Sequence, residues 1–257
     1  MVEKIVFTSK ISDDVNSQNI SDVWVYIDDD IIGAFELPAK IPILKEGKHK
    51  LTLRPGIKLN GIDATRAIYS LYSSLDSNII LEPDKILKVN FNTTYVSNLN
   101  ITWQEDFENP NFSLVKTERS DTTVKQAKNE NYSYFEYGEK YAGRVYINTD
   151  KPYFELVCDT SLTLPRNYKP VYLEMDYKTS CDFTVSLKIT TTSQSYMQEY
   201  LTITAAPYWR KIYINLTPYA NLDSKAKSYK LYFSHRLETG KTYDELFFDN
   251  LKLVTTK

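Results

Sequence analysis

The sequence predicts an all-β protein built from two β-sandwich domains. Apolar and polar residues alternate with a period of two along most of the chain, as expected for strands that bury one face. The 257 residues include 21 Tyr and 11 Phe, and aromatic residues favour strands. No amphipathic helix longer than two or three turns is evident. A chain of this length can hold two domains that each bury a core.

The first domain is predicted over residues 1–97. A hairpin is expected where the alternating segments 23–27 and 31–35 meet at an aspartate-rich turn. Further strands are predicted at 50–54 and 87–91. The intervening residues 55–81 do not alternate, which predicts an irregular insertion. Such an insertion either plugs one end of a small sandwich or forms a contact surface.

The second domain is predicted over residues 98–257, after a polar stretch that marks the boundary. Segment 181–190 is the clearest strand, because its odd positions are all apolar and its even positions all polar. Other strands are predicted at 153–159, 171–177, 211–216 and 229–235. Eight or so strands joined by polar turns are typical of a jelly-roll sandwich.

Composition excludes several classes of function. The net charge is −2 with both signs mixed, so no basic field is present that would attract nucleic acid or an anionic membrane. Only 7 Gly occur, and neither a P-loop nor a GxGxxG motif is found. No apolar run is long enough to span a bilayer, and the N-terminus lacks the apolar region of a signal peptide.

The residues that catalysis usually needs do not form a motif. His49 and His235 fall in different predicted domains, and the sequence has no nucleophile elbow and no HExxH motif. We therefore predict a protein that is not an enzyme, with a carboxylate pair for glycoside hydrolysis, drawn from 33 acidic residues, as the alternative left open. Cys158 and Cys181 share the parity of apolar neighbours, so either they are two buried thiols or adjacent strands bring them together as a disulfide.

The first domain resembles a PEGA-type module. The resemblance covers about 40 residues, with these features: the strand 25–28, Gly33, Pro38, Pro42 and the Gly-x-His segment 47–49. Asp29 departs from the pattern, which usually has Gly there, so we expect a slightly different turn.

The second domain resembles galactose-binding-like jelly rolls, the fold of many carbohydrate-binding modules. The resemblance is carried by the opening segment 105–108, by Trp209 ahead of 212–214, and by the closing segment 248–253. The pair of domains also looks like uncharacterised envelope lipoproteins of Bacteroidota. That resemblance implies an outer-membrane lipoprotein, attached to the membrane only through a lipidated cysteine that would precede Met1.

A structural Ca²⁺ ion is the one cofactor predicted. Asp249 shares parity with the apolar Phe247 and Leu251, and a buried carboxylate is costly unless it is paired or metal-bound. The resemblance implies a calcium site where the first and last strands of the jelly roll meet, with Glu105 and Glu108 as the other ligands. The alternative is that Asp249 caps backbone N–H groups of a neighbouring loop.

Two functions from different classes remain. The favoured prediction is an accessory subunit that docks to an envelope protein complex, such as an outer-membrane secretion or assembly complex. Its contact residues would be Arg66, Ile68, Tyr69 and Tyr72. The alternative is a glycan-binding surface lipoprotein, because sugar rings stack on exposed aromatic side chains. The tyrosines predicted for that role are Tyr132, Tyr134, Tyr137 and Tyr141, which could instead pack on the sandwich rim.

Overall fold

The structure is a computed structural model that describes residues 1–11, 15–128 and 141–257. The chain divides into an N-terminal unit, Met1–Leu99, and a C-terminal unit, Asn100–Lys257. This division falls two residues after the predicted boundary. Strands dominate both units, which confirms the all-β fold class. Among the described residues, no helix is long and apolar enough to cross a membrane.

The N-terminal unit pairs its strands in two sheets. Its strands are β1 (Ile5–Phe7), β2 (Asp22–Ile27), β3 (Asp30–Glu36), β4 (Gly47–Lys58), β5 (Arg66–Ile68), β6 (Leu75–Leu81) and β7 (Phe91–Thr93). The larger sheet has the order β3-β2-β4-β5, with β6 also paired to β4, and β1 and β7 form a parallel pair. Both sheets contribute to one core, in which Val23, Val25 and Leu53 of the larger sheet join Ile5 and Phe91 of the pair.

The prediction of an irregular insertion at residues 55–81 is wrong. Strand β4 continues through Pro55 to Lys58, and β5 and β6 follow within the same segment. The sequence hides the end of β4 because the consecutive residues Pro55 to Ile57 are buried on both faces, and it hides β6 because three polar residues, 76–78, are followed by three apolar ones, 79–81. A strand that is covered on both faces has no alternation to detect.

The prediction that Tyr69 and Tyr72 form part of a contact surface is also wrong. Tyr69 has no exposed surface and Tyr72 is 4% exposed. Their rings lie 4.6 Å apart, and Tyr72 also packs on Phe7 and Tyr95, with ring centroids 4.7 and 5.4 Å away. These tyrosines are core residues and present no surface to a partner.

Arg66 and Ile68 belong to the sheet itself. The Arg66 guanidinium lies 3.0 Å from the fully buried carboxylate of Asp22 and 3.2 Å from Glu36. Ile68 is half-buried and pairs with Gly56 in the β4–β5 ladder. The ion pair compensates a carboxylate that would otherwise be costly to bury, so Arg66 has a structural role.

The turn between β2 and β3 is organised by Asp28. Asp28 and Asp29 both have positive φ, 53° and 67°, which aspartate tolerates better than most residues. The Asp28 carboxylate accepts hydrogen bonds from the backbone N–H of Lys50 at 2.9 Å and from His49 Nδ1 at 2.6 Å. These bonds, with Lys45 nearby, lower the pKa of Asp28 to about 2.

This pKa predicts how stability depends on pH. An aspartate whose pKa is lower in the folded state stabilises the fold above its unfolded pKa of 3.8, and this stabilisation is lost as pH falls through about 2. Asp28→Asn should therefore lose less stability than the wild type between pH 4 and pH 2, measured by chemical denaturation at a series of pH values. Asp63→Asn, at an exposed position, is the control and should follow the wild type. Identical curves for Asp28→Asn and the wild type would contradict the prediction.

The C-terminal unit is a sandwich of two antiparallel sheets. Its strands are β8 (Leu99–Glu105), β9 (Leu114–Lys116), β10 (Lys125–Ala127), β11 (Ala142–Asn148), β12 (Tyr153–Cys158), β13 (Val171–Thr179), β14 (Phe183–Thr190), β15 (Ser195–Ile203), β16 (Ala206–Asn215), β17 (Ser228–Arg236) and β18 (Tyr243–Thr256). One short helix, α1 (Thr217–Ala220), follows β16. The front sheet has the order β10-β11-β18-β13-β16, with β8 also paired to β18, and the back sheet has the order β15-β14-β17-β12-β9.

Gly143 of β11 packs closely against the side chain of Phe107, which follows β8. A Cβ atom at Gly143 of β11 would lie 2.4 Å from the ring of Phe107, which is fully buried. Phe107 cannot easily move, because its N–H donates to Glu105 Oε1 at 2.8 Å and its carbonyl accepts from Gln126 at 2.6 Å. Only glycine leaves room for this ring.

We expect Gly143→Ala to lower the free energy of unfolding by about 1–3 kcal/mol, as overpacking of a core does. The double variant Gly143→Ala, Phe107→Leu should show favourable coupling, because the smaller side chain relieves the clash. A double-mutant cycle from denaturant unfolding measures this coupling. Strictly additive effects would show that the ring does not set the requirement for glycine.

Candidate functional site

The alternation of the strands determines which side chains lie on the outer face of the front sheet, called here the front face. In β13, Val171, Leu173 and Met175 point into the core between the sheets. The intervening side chains therefore point to the front face: Tyr172, Glu174, Asp176 and Lys178. Ligand sites are lined by aromatic side chains and a few polar groups, so this face is a candidate binding surface.

The strand register aligns these residues in rows across the sheet. One row, across β16, β13 and β18, contains Lys211, Asp176 and Asp249. The next row contains Tyr213, Glu174 and Lys252. The middle of the front face is thus a buried patch that contains charged groups of both signs, three carboxylates and two lysines.

The centre of this patch is an ion pair between Lys211 and Glu174. The ammonium and carboxylate lie 3.1 Å apart, and both side chains have no exposed surface. Burial by itself would lower the pKa of Lys211, but the charges of Glu174 and Asp176 outweigh it and raise this pKa above its ordinary value. Lys211 is therefore a cation at any physiological pH.

Breaking this pair should be costly. We expect Lys211→Met to lower the free energy of unfolding by about 3–5 kcal/mol, because it leaves a buried carboxylate uncompensated, while Lys211→Met with Glu174→Leu should recover most of that loss. Denaturant unfolding measures both. Lys85→Met, which removes an exposed pair with Glu82, is the control and should cost about 1 kcal/mol or less. A double variant as unstable as Lys211→Met would contradict the expectation.

Asp249 and Leu251 were predicted to lie on the same side of β18, but a bulge in this strand places them on opposite sides. The β13–β18 register shifts between Glu174 and Asp176, and Asn250 has φ of 49°. The extra residue reverses the parity of the strand, so Leu251 is in the core while Asp249 lies on the front face. Asn250 Nδ2 donates to Asp176 at 2.9 Å, which joins the bulge to the charged patch.

The residues predicted to bind calcium have other hydrogen-bonding roles. Glu105 accepts bonds from the N–H of Phe107 and from Ser113 Oγ at 2.9 Å. Glu108 accepts from the N–H of Tyr141 at 2.9 Å, and Asp249 accepts from the N–H of Asn250 at 2.9 Å. These three residues do not form a set of donor atoms within 4.8 Å of one another, as another trio in the described chain does. The calcium ion stays a prediction.

Two tyrosines stack on an exposed part of the front face, on the neighbouring strands β11 and β18. Tyr146 of β11 and Tyr243 of β18 are 39% and 55% exposed. Their ring centroids lie 5.8 Å apart with 22° between the planes. The Arg144 guanidinium lies 5.4 Å from the Tyr146 ring centroid and pairs with Glu245. The two strands therefore hold a pair of nearly parallel, accessible rings.

A groove of about 410 Å³ lies against Tyr146, one of the two stacked residues. Apart from Tyr146, the residues that line it have polar or charged side chains: Thr122, Thr123, Lys125, Arg144, Asn148, Asp150 and Lys151. The Asn148 side-chain oxygen accepts from the N–H groups of Asp150 and Lys151, at 3.1 and 2.9 Å, which fixes the turn at one end of the groove. An aromatic wall beside fixed polar groups can bind a ligand that has both apolar and hydroxylated faces.

The tyrosines predicted to bind glycan are different ones. Tyr132, Tyr134 and Tyr137 lie outside the residues that the structure describes. Tyr141 is half-buried, and Lys128 Nζ lies 5.8 Å from its ring centroid. Sequence reasoning missed Tyr146 and Tyr243, although Tyr146 alternates with the apolar Val145 and Ile147 and so signals an outward ring.

A second cluster lies at one end of the sandwich, where Cys181, His235 and Asp244 meet. A thiol, an imidazole and a carboxylate could form a nucleophilic triad. However, Cys181 is 1% exposed, and burial raises the pKa of its thiol to about 12. A buried, protonated thiol is not an activated nucleophile. Cys158 is likewise a free, buried thiol, so no disulfide joins the two cysteines.

No family model and no curated protein matches the chain. Among solved structures, it is similar to the CBM22-2 xylan-binding domain of Paenibacillus barcinonensis, at 12% identity and a TM-score of 0.41, over 61% of this chain and 99% of that one. It is also similar to a family 11 carbohydrate-binding module of Clostridium thermocellum, at 16% identity and a TM-score of 0.40. This match covers 60% of this chain and 93% of that one. A third similar structure is a CBM28 module specific for non-crystalline cellulose. It has 13% sequence identity and a TM-score of 0.40, and the match covers 58% of this chain and 91% of that one. These values are too low to transfer a ligand to this chain.

Proposed function

We propose that the C-terminal unit binds a glycan without catalysis, in the groove beside Tyr146 and Tyr243. The observation that carries this proposal is the stacked and exposed tyrosine pair, with ring centroids 5.8 Å apart, at the edge of a polar groove. Glycan binding was the alternative prediction from the sequence. The tyrosines that support the proposal differ from those predicted from the sequence.

The tyrosine pair suits the apolar face of a sugar ring. Pyranose rings expose C–H groups on their faces, and these pack on the flat surface of an aromatic side chain. Tyr146 and Tyr243 are fixed by adjacent antiparallel strands, in which Asn148 is paired with Tyr243. Little conformational entropy is therefore lost when a sugar stacks on them.

The groove supplies hydrogen-bonding groups for the hydroxyls at the edges of the sugar. Thr122 and Thr123 are half-exposed, and Lys125, Asp150 and Lys151 are exposed. They offer hydroxyl, ammonium and carboxylate groups along one wall, so donors and acceptors are both available. The volume of about 410 Å³ is within the range of small-molecule sites, and it has room for a few sugar units.

Docking to an envelope protein complex has less support. Two of its four predicted contact residues, Tyr69 and Tyr72, are buried, and Arg66 pairs with the buried Asp22. The envelope location and the lipid anchor stay predictions from resemblance. They are compatible with a glycan-binding surface protein.

The test is binding of the full chain to soluble polysaccharides. Affinity gel electrophoresis against neutral β-glucans, xylans and polysaccharides that contain uronic acids should show retardation by at least one class. Isothermal titration calorimetry with oligosaccharides of that class then gives the affinity. We expect Tyr146→Ala and Tyr243→Ala each to weaken binding about tenfold, since loss of a stacking ring costs about 1–1.5 kcal/mol.

The matched control is Tyr168→Ala, at a tyrosine that is 77% exposed but lies outside the front sheet. It should bind as the wild type does. The proposal fails if no polysaccharide retards the wild type, or if the two groove variants retain full affinity.

A further inference from the structure

Three potential metal ligands converge at the end of the C-terminal sandwich. Cys181 lies between β13 and β14, His235 near the end of β17, and Asp244 near the start of β18. Their donor atoms, the cysteine sulfur, an imidazole nitrogen and a carboxylate oxygen, all lie within 4.8 Å of one another. The cluster is far better shielded than a chance surface grouping, because Cys181 and Asp244 are 1% and 2% exposed and the His235 side chain is 9% exposed.

The surrounding hydrogen bonds already orient the carboxylate. Asp244 Oδ1 accepts from Ser180 Oγ at 3.0 Å and from Lys241 Nζ at 3.4 Å. Its other oxygen, Oδ2, lies 3.3 Å from His235 Nε2. One carboxylate oxygen is thus held by the protein, while the other faces the imidazole. Carboxylates that bind metals are commonly oriented by outer hydrogen bonds of this kind.

The chemistry of the three donors selects the class of metal. Calcium and magnesium take oxygen ligands, whereas a thiolate with an imidazole and a carboxylate suits zinc and similar transition metals. We propose that Cys181, His235 and Asp244 bind a divalent transition-metal ion of the zinc type, with water in the fourth position. On binding, the Cys181 thiol releases its proton to solvent and its sulfur bonds to the ion.

The geometry fits this proposal with a small adjustment. Bonds of about 2.0–2.3 Å to a tetrahedral zinc ion place its ligand atoms roughly 3.3–3.8 Å apart. The distance of 3.3 Å between His235 and Asp244 already matches. The three donor atoms lie within 4.8 Å of one another, so the cysteine sulfur has to approach by at most about 1.5 Å to reach this range.

Charge balance also favours the ion. A thiolate and a carboxylate together neutralise a divalent cation, so the occupied site would bury no net charge. Lys241 is the competing cation, but its side chain is 38% exposed and also pairs with Glu238 at 3.4 Å. It can keep this exposed pair when the metal takes over the charge of Asp244.

The ligands come from both sheets, which indicates what the metal would do. His235 is on β17 of the back sheet, and Asp244 is on β18 of the front sheet. Cys181 belongs to the connection between β13 of the front sheet and β14 of the back sheet. A bound ion would therefore join two sheet-to-sheet connections at one end of the sandwich. Its role would be to stabilise the fold.

The first test uses Co²⁺ as a spectroscopic probe of the full-length chain, after treatment with a chelator. One equivalent of Co²⁺ should produce a thiolate-to-cobalt charge-transfer band and the strong visible bands of a tetrahedral site. Zn²⁺ should displace both. Cys181→Ser should abolish the charge-transfer band, whereas Cys158→Ser, the matched control at the other buried thiol, should keep it. A wild-type protein without this band overturns the proposal, whatever the variants do.

The second test is thermal unfolding with and without Zn²⁺. At a hundredfold excess over Kd, binding to the folded state alone should raise the wild-type Tm by roughly 5–10 °C. Asp244→Asn should show a shift several-fold smaller. An equal rise in Asp244→Asn and wild type would overturn the proposed ligand set. Both tests are independent of glycan binding, so the two proposals can fail separately.

Discussion

A strand has two faces, and in the C-terminal unit one face of each sheet is committed to the common core. Phe154, Leu173, Leu231 and Phe248 are fully buried there. Every polar side chain that could act on a ligand must therefore project from the outer faces or gather where strands end. The tyrosine pair uses the first option and the Cys181 cluster uses the second, whereas the charged patch lies on an outer face but is buried. The packing of the core therefore determines where side chains are able to contact a ligand.

Alternation made much of the fold predictable, within limits that are physical. Segment 181–190 alternates cleanly because its strand, β14, packs on the core with one face and has polar Thr184 and Lys188 on the other. The same reasoning failed for residues 55–81, where Pro55 to Ile57 of β4 are buried consecutively and β6 has three polar residues followed by three apolar ones. The pattern detects strands in which polar and apolar residues alternate, and it misses those in which residues of one kind follow one another.

The candidate sites were less predictable, because they depend on contacts between distant residues. Tyr146 and Tyr243 are 97 positions apart, and only the β11–β18 ladder makes them neighbours. The bulge at Asn250 changes the side on which Asp249 lies, and one inserted residue leaves no clear trace in the sequence. His235 and Cys181 could each be assigned to the core side of a strand, but that assignment says nothing about their meeting at one end.

The parallel pairing of β1 with β7 has a consequence for how the N-terminal unit is made. Residues 5–7 are hydrogen-bonded to residues 91–93, so the first strand has no partner until nearly the whole unit has left the ribosome. Closing a loop of this length is entropically costly, and contacts so distant in sequence slow folding. The backbone of β1 must therefore wait for its sheet partner during synthesis, and truncation before residue 91 would leave residues 5–7 without a strand to pair with.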